Sequence, residues 1–166
     1  MNILTLLGCF RRKTAKFSVK NANHQTGRLL PMENMIQLIK KHEGFKPSVY
    51  KCSEGFDTIG IGFKVDNLYL TESICDQILE LKIVKILDKL EKRASWVQSM
   101  PETIQSVVIN MSYQMGVSGF LRFKKTIDLL KQRKWTDASV EMLDSLWAKQ
   151  TPNRSRELSE MVGNCE

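Results

Sequence analysis

The chain has 166 residues, 42% of them hydrophobic and 26% charged, enough for one compact domain with an ordinary core. No run approaches the roughly 18 to 20 apolar residues that a membrane-crossing helix needs, so stable membrane insertion is not expected. The formal net charge of +7 is concentrated at the start of the chain, so a nucleic-acid partner, which requires a basic folded face, is not expected either.

Residues 1–31 carry Arg11, Arg12, Lys13, Lys16, Lys20 and Arg28 without one acid, which leaves 19 basic against 18 acidic residues from Met32 onward. This stretch has too little apolar patterning to bury a core of its own and reads as a basic, disordered extension. Its apolar start precedes the positive charges, the reverse of a secretory signal, so no clear signal peptide is read and localisation stays open. A leader, a functional basic tail, or a start codon upstream of a protein that begins at Met32 or Met35 are the three readings of it. Residues 32–166 form the expected folded domain.

From Met32 the periodicities are mostly helical. Met35, Ile36 and Ile39, with Leu38, line one side of a first helix that closes at Glu43-Gly44. Residues 50–63 read as a small hairpin, with Gly55 at the turn and Gly60 and Gly62 inside the second strand, where glycine signals close backbone approach or a bulge. Thr71 and Glu72 open a long helix with Ile74, Ile78, Leu81, Val84 (or Ile83) and Leu87 at helical spacing. Pro101 and Glu102 open another, with Ile104, Val107, Val108, Met111 and Met115 expected in the core and Gly116 and Gly119 at its end. Helices over about 123–131 and 135–149 follow, and Thr151-Pro152 pairs an N-cap with proline at the first helical position. Trp135, Trp147 and Met111 are expected core residues. The fold class is α+β: a small β-hairpin lobe, then a mainly helical lobe, with an active-site cleft expected between lobes.

Four cysteines, Cys9, Cys52, Cys75 and Cys165, are scattered without a CxxC pair, and His24 and His42 lie far apart. Reduced thiols are expected, one or two disulfides being the alternative, and neither a metal nor another cofactor is expected. Glu43 leaves the first helix just ahead of the hairpin, and Thr58 enters the strand Thr58-Ile59-Gly60-Ile61-Gly62-Phe63. Cys52 lies between them, with eight residues before it and five after. A carboxyl at a helix end and a hydroxyl entering a tight hairpin can converge on one site.

Three blocks of the chain together resemble the phage-type lysozymes, the endolysin muramidases. The first runs from His42-Glu43-Gly44-Phe45 through Tyr50-Lys51-Cys52-Ser53-Glu54-Gly55-Phe56-Asp57-Thr58-Ile59-Gly60-Ile61-Gly62. The second is Ile109-Asn110-Met111-Ser112-Tyr113-Gln114-Met115-Gly116, and the third is Trp147 followed by Gln150-Thr151-Pro152-Asn153-Arg154. The resemblance covers nearly everything from Met32 on and implies a lysozyme-like fold. It also implies bacteriolytic hydrolysis of the β-1,4 bond between N-acetylmuramic acid and N-acetylglucosamine in bacterial peptidoglycan, by a monomer. Were the chain phage-encoded, it would act from the host cytoplasm on the wall through a membrane-opening partner.

Position by position, the resemblance makes Glu43 the general acid and Thr58 the residue that holds the attacking water. Cys52 falls where the family usually has Asp, which helps to place or activate that water, and the reaction inverts at the anomeric carbon. Arg154 matches an arginine that pairs with the catalytic glutamate, while Asn110 and Gln114 match positions on a helix behind the site. The bland reading of this last pair is satisfaction of buried hydrogen bonds. Partial burial of Glu43 is expected to hold its proton towards neutral pH, against the pull of Arg154. Cys52, as an ordinary thiol, is mostly protonated at neutral pH and a poor base unless neighbouring Lys51 induces a thiolate. Direct attack by that thiolate is the less favoured alternative and would retain the anomeric configuration. Asp57 is expected to point away from Thr58 by strand alternation. Two other readings differ in class: a catalytically weak or inactive peptidoglycan-binding relative, and killing by the basic extension acting on anionic envelopes.

Overall fold

The computed structural model describes residues 32–166; the extension over 1–31 and Cys9 lie outside the described residues. The chain divides into two compact units, a hairpin unit ending at Cys75 and a helical unit from Asp76 to Glu166.

The hairpin unit opens with α1 (Met32–Glu43). Gly44 ends it in the left-handed region at φ +68, and its amide donates to the Lys40 carbonyl at 2.9 Å, a conformation glycine adopts without steric cost. The apolar side expected of this helix is present, but no residue of α1 is buried; Met35, Ile36, Leu38 and Ile39 are all exposed.

Three strands follow in the order β1 (Lys46–Lys51), β2 (Asp57–Gly60) and β3 (Phe63–Lys64), all antiparallel. The sequence reading expected two strands with Gly60 and Gly62 inside the second. Instead β2 stops at Gly60, and both Gly60 (φ +68) and Gly62 (φ +69) carry the turn into β3. The turn from β1 to β2 is closed by the Cys52 amide donating to the Phe56 carbonyl at 3.0 Å and the Gly55 amide to the Cys52 carbonyl at 2.9 Å. In register, Thr58 is flanked by Tyr50 on β1 and Lys64 on β3. Residues directly opposite across antiparallel strands share a face, so Tyr50, Thr58 and Lys64 form one row.

Helix α2 (Glu72–Arg93) starts beside Thr71, whose hydroxyl accepts from the Ile74 amide at 3.3 Å. Its described burial is confined to Leu87 and Leu90, near its C-terminal end. A 3-10 turn over Ser95–Ser99 leads to α3 (Glu102–Phe120), which holds Ile104, Val107, Val108 and Met111 in the core. Gly116, at φ 74 and ψ 156, kinks α3. Met115, immediately before that kink, is only half-buried rather than in the core.

The expected single helix over 135–149 is two helices, α5 (Trp135–Leu143) and α6 (Leu146–Gln150), after α4 (Lys124–Lys131). Ser145 separates them as an N-cap, its hydroxyl accepting from the Ala148 amide at 3.1 Å, which satisfies one of the free donors at the start of α6. Trp147 is buried as expected, whereas Trp135 is half-buried. Helix α7 (Pro152–Gly163) follows the expected Thr151-Pro152 start. The Thr151 hydroxyl, however, donates backwards to the Trp147 carbonyl at 3.0 Å. Leu90, Phe120, Leu130, Met142, Leu158 and Val162 complete the core of the helical unit. Among the described residues no helix is long and apolar enough to cross a membrane.

Candidate active site

The hairpin unit carries Glu43, Cys52 and Thr58: the Thr58 side chain reaches Cys52 across the β1–β2 turn, while Glu43 stands at the end of the helix that enters the sheet. Glu43 is the last residue of α1, and its carboxyl reaches the turn between β2 and β3. A Cβ built on Gly62 would strike Glu43 Oε2 and lie 3.1 Å from the carboxyl carbon. The left-handed φ of +69 favours glycine at 62, and any side chain there would also push the Glu43 carboxylate aside. Glu43 is exposed, contrary to the expectation of partial burial, because it ends a helix that buries nothing.

Thr58, on β2, is only 3% exposed. Its hydroxyl donates to the Phe56 carbonyl at 3.2 Å. Cys52 follows the last residue of β1 and is half-buried, with a free thiol. Its acidity is enhanced above that of an ordinary thiol, chiefly because the Glu54 main-chain amide favours the thiolate; desolvation opposes this, while the Phe56 amide and the Thr58 hydroxyl reinforce it and the Glu54 carboxylate works against it. Main-chain donors around a sulfur stabilise its charged form in the same way that amide nests hold other anions.

Lys51 was the expected inducer of a thiolate, but its ammonium pairs with Asp57 at 3.0 Å. That pair also draws Asp57 away from the row holding Thr58, as strand alternation implied. Lys64, which sequence reasoning passed over, pairs with Glu54 at 3.3 Å and lies 3.8 Å from the centre of the Phe56 ring. Lys46 stands over the Tyr50 ring at 4.0 Å. The signal for these residues was cross-strand pairing, which no local periodicity reveals.

The other three sequence-predicted residues lie in the helical unit. Asn110 and Gln114 are exposed on α3, and Arg154 is exposed in the first turn of α7. Gln114 Oε1 accepts from the Trp147 indole N–H at 2.9 Å, and Trp147 packs edge-on against Phe123 at 6.0 Å. Because an indole N–H can only donate, this bond fixes which end of the Gln114 amide faces the tryptophan and leaves its NH₂ for another partner. Gln114 thus satisfies the indole N–H of the buried Trp147. A pocket of about 340 Å³, with Arg122, Lys124, Lys125 and Glu141 among its lining residues, contains none of the six.

The phage lysozyme family matches residues 40–161 of the chain. The chain is 30% identical over 160 residues to the probable T4-type lysozyme 1 of Dictyostelium discoideum, covering 79% of this chain and 94% of that one. It is 33% identical over 155 residues to the probable T4-type lysozyme 2 of the same organism, covering 75% and 90%. A third similarity, 23% identity over 167 residues, is to the pre-baseplate central spike protein Gp5 of Enterobacteria phage T4; it spans 82% of this chain and 29% of that protein.

Proposed function

This chain belongs to the phage lysozyme family and is a glycoside hydrolase of the lysozyme type, and on that premise we propose that Glu43 is its general acid. The bond broken is the β-1,4 link between N-acetylmuramic acid and N-acetylglucosamine. The observation that carries the assignment is the approach of the Glu43 carboxyl to Gly62, in the turn just after the strand that holds Thr58.

Glu43 gives its proton to the glycosidic oxygen as the C–O bond breaks, and the departing sugar leaves with a new hydroxyl. Positive charge builds on the anomeric carbon, and a water held by Thr58 and Cys52 bonds to that carbon from the opposite face. The Cys52 thiolate takes the proton the water sheds, a role suited to a sulfur whose charged form two amides and a hydroxyl favour. Exchange with solvent then returns a proton to Glu43 and removes one from Cys52.

Asn110, Gln114 and Arg154 take supporting roles. The Gln114 NH₂, oriented by Trp147, is a ready donor to a carbonyl or hydroxyl of the substrate. The protein works as a monomer on peptidoglycan without a cofactor. Borohydride reduction of the products from purified peptidoglycan tests the bond assignment. Muramitol at the new reducing ends is expected; glucosaminitol alone would place the cut at the other glycosidic bond.

A further inference from the structure

The three groups that favour the Cys52 thiolate are the Glu54 amide, the Phe56 amide and the Thr58 hydroxyl. Each belongs to a residue held by Lys64. The Lys64 ammonium pairs with the Glu54 carboxylate at 3.3 Å and lies 3.8 Å from the centre of the Phe56 ring, while its backbone stands opposite Thr58 in the sheet. We infer that Lys64 is a positioning residue for the water-activating side of the site, clamping from outside the residue 52–56 turn that the Cys52 and Gly55 amides close and so fixing the Cys52 thiol in place. This deepens the proposed function and rests on Cys52 acting in it.

Two physical effects point the same way. Carboxylate and aromatic ring are gripped by one cation, so the turn between Cys52 and Asp57 loses freedom and the amides of Glu54 and Phe56 keep their direction. Lys64 also pairs with the Glu54 carboxylate, whose charge works against the thiolate, and so holds that charge on the far side of the pair. Among the other described hairpin charges, Lys51 and Asp57 pair with each other, Lys46 stands over the Tyr50 ring, and the Glu43 carboxyl lies at Gly62. Lys64 is the cation that contacts two residues of the turn, Glu54 and Phe56.

The test follows the pH dependence of Cys52 alkylation by iodoacetamide in the full chain, read by peptide mass spectrometry, with Cys75 and Cys165 as internal references. Lys64→Met keeps the apolar stem and removes the charge; Lys64→Arg restores a cation able to make both contacts. The Cys52 midpoint should move to higher pH in Lys64→Met and return in Lys64→Arg, with Cys75 and Cys165 unmoved and the melting temperature unchanged. The kcat for peptidoglycan clearing should fall and recover with it, at a KM that stays put. A Cys52 midpoint that does not move in Lys64→Met overturns the inference. That failure is separate from failure of the proposed function, which is read on Glu43 variants without reference to thiol labelling.

Discussion

The carboxyl of Glu43 occupies the space that a side chain at Gly62 would need. The helix end and the turn after β2 thus meet at this carboxyl, beside the strand bearing Thr58. Gly62→Ala should lose about 1–2 kcal/mol of stability from its left-handed backbone alone. It should also lose on the order of 10²-fold in kcat/KM, because the displaced carboxyl no longer meets the glycosidic oxygen. Gly44→Ala is the control: its φ of +68 is the same, but nothing lies within 4 Å of the added carbon. Chemical denaturation and initial rates on both variants should show similar stability losses and a much smaller activity loss at 44.

Cys52 stands where a carboxylate would be ionised well below neutral pH. Cys52→Asp should therefore move the rising limb of the pH–rate profile to lower pH and raise kcat under mildly acidic conditions. Cys52→Ser should lose the limb altogether and fall in kcat, with KM little changed. An unaltered rising limb in Cys52→Asp would remove residue 52 from the proton path.

The two thiols with perturbed acidity differ in sign. Main-chain amides, that of Glu54 foremost, hold the Cys52 thiol below the ordinary range, whereas burial foremost pushes Cys165 up. Alkylation follows the thiolate, so Cys52 should label with a midpoint at lower pH than Cys165 in the same native sample. Unfolding in denaturant should bring the two midpoints together.

Ser112 is buried on α3 and its hydroxyl has no hydrogen-bond partner. Removing an unsatisfied buried polar atom relieves its desolvation cost, and alanine also suits a helix interior better than serine. Ser112→Ala should gain about 1 kcal/mol and raise the melting temperature by a few degrees, with activity unchanged. A loss of stability would mean that the hydroxyl is satisfied.

Much of this architecture was readable along the chain because its boundaries are marked locally. Gly44 closes α1, Thr71 and Pro101 precede the two long helices, and Thr151-Pro152 opens the last. The third strand escaped notice because two residues, Phe63 and Lys64, are too few for an alternating pattern to register. The break between α5 and α6 was hidden because Met142, Leu143, Leu146 and Trp147 continue an apolar helical spacing across it, and only the Ser145 cap interrupts the backbone. In the site, residue types at motif spacing pointed to Glu43, Cys52 and Thr58. The acidity of Cys52 did not come from Lys51, the nearest cation in sequence, but from amides around a turn. The clamp of Lys64 on Glu54 and Phe56 depends on strand register, a relationship between residues ten and eight positions apart.

The central claim is that Glu43 delivers the proton. Glu43→Gln keeps the side chain's shape and the contact with Gly62 but has no acidic proton to give. Clearing of purified peptidoglycan by the full chain and by Glu43→Gln, at matched melting temperatures, tests it most directly. A loss of about 10²- to 10⁴-fold in kcat is the predicted result. Equal clearing by the variant would contradict the assignment, and a folded wild-type chain that binds the glycan without clearing it would make this protein a binder of the wall and not its hydrolase.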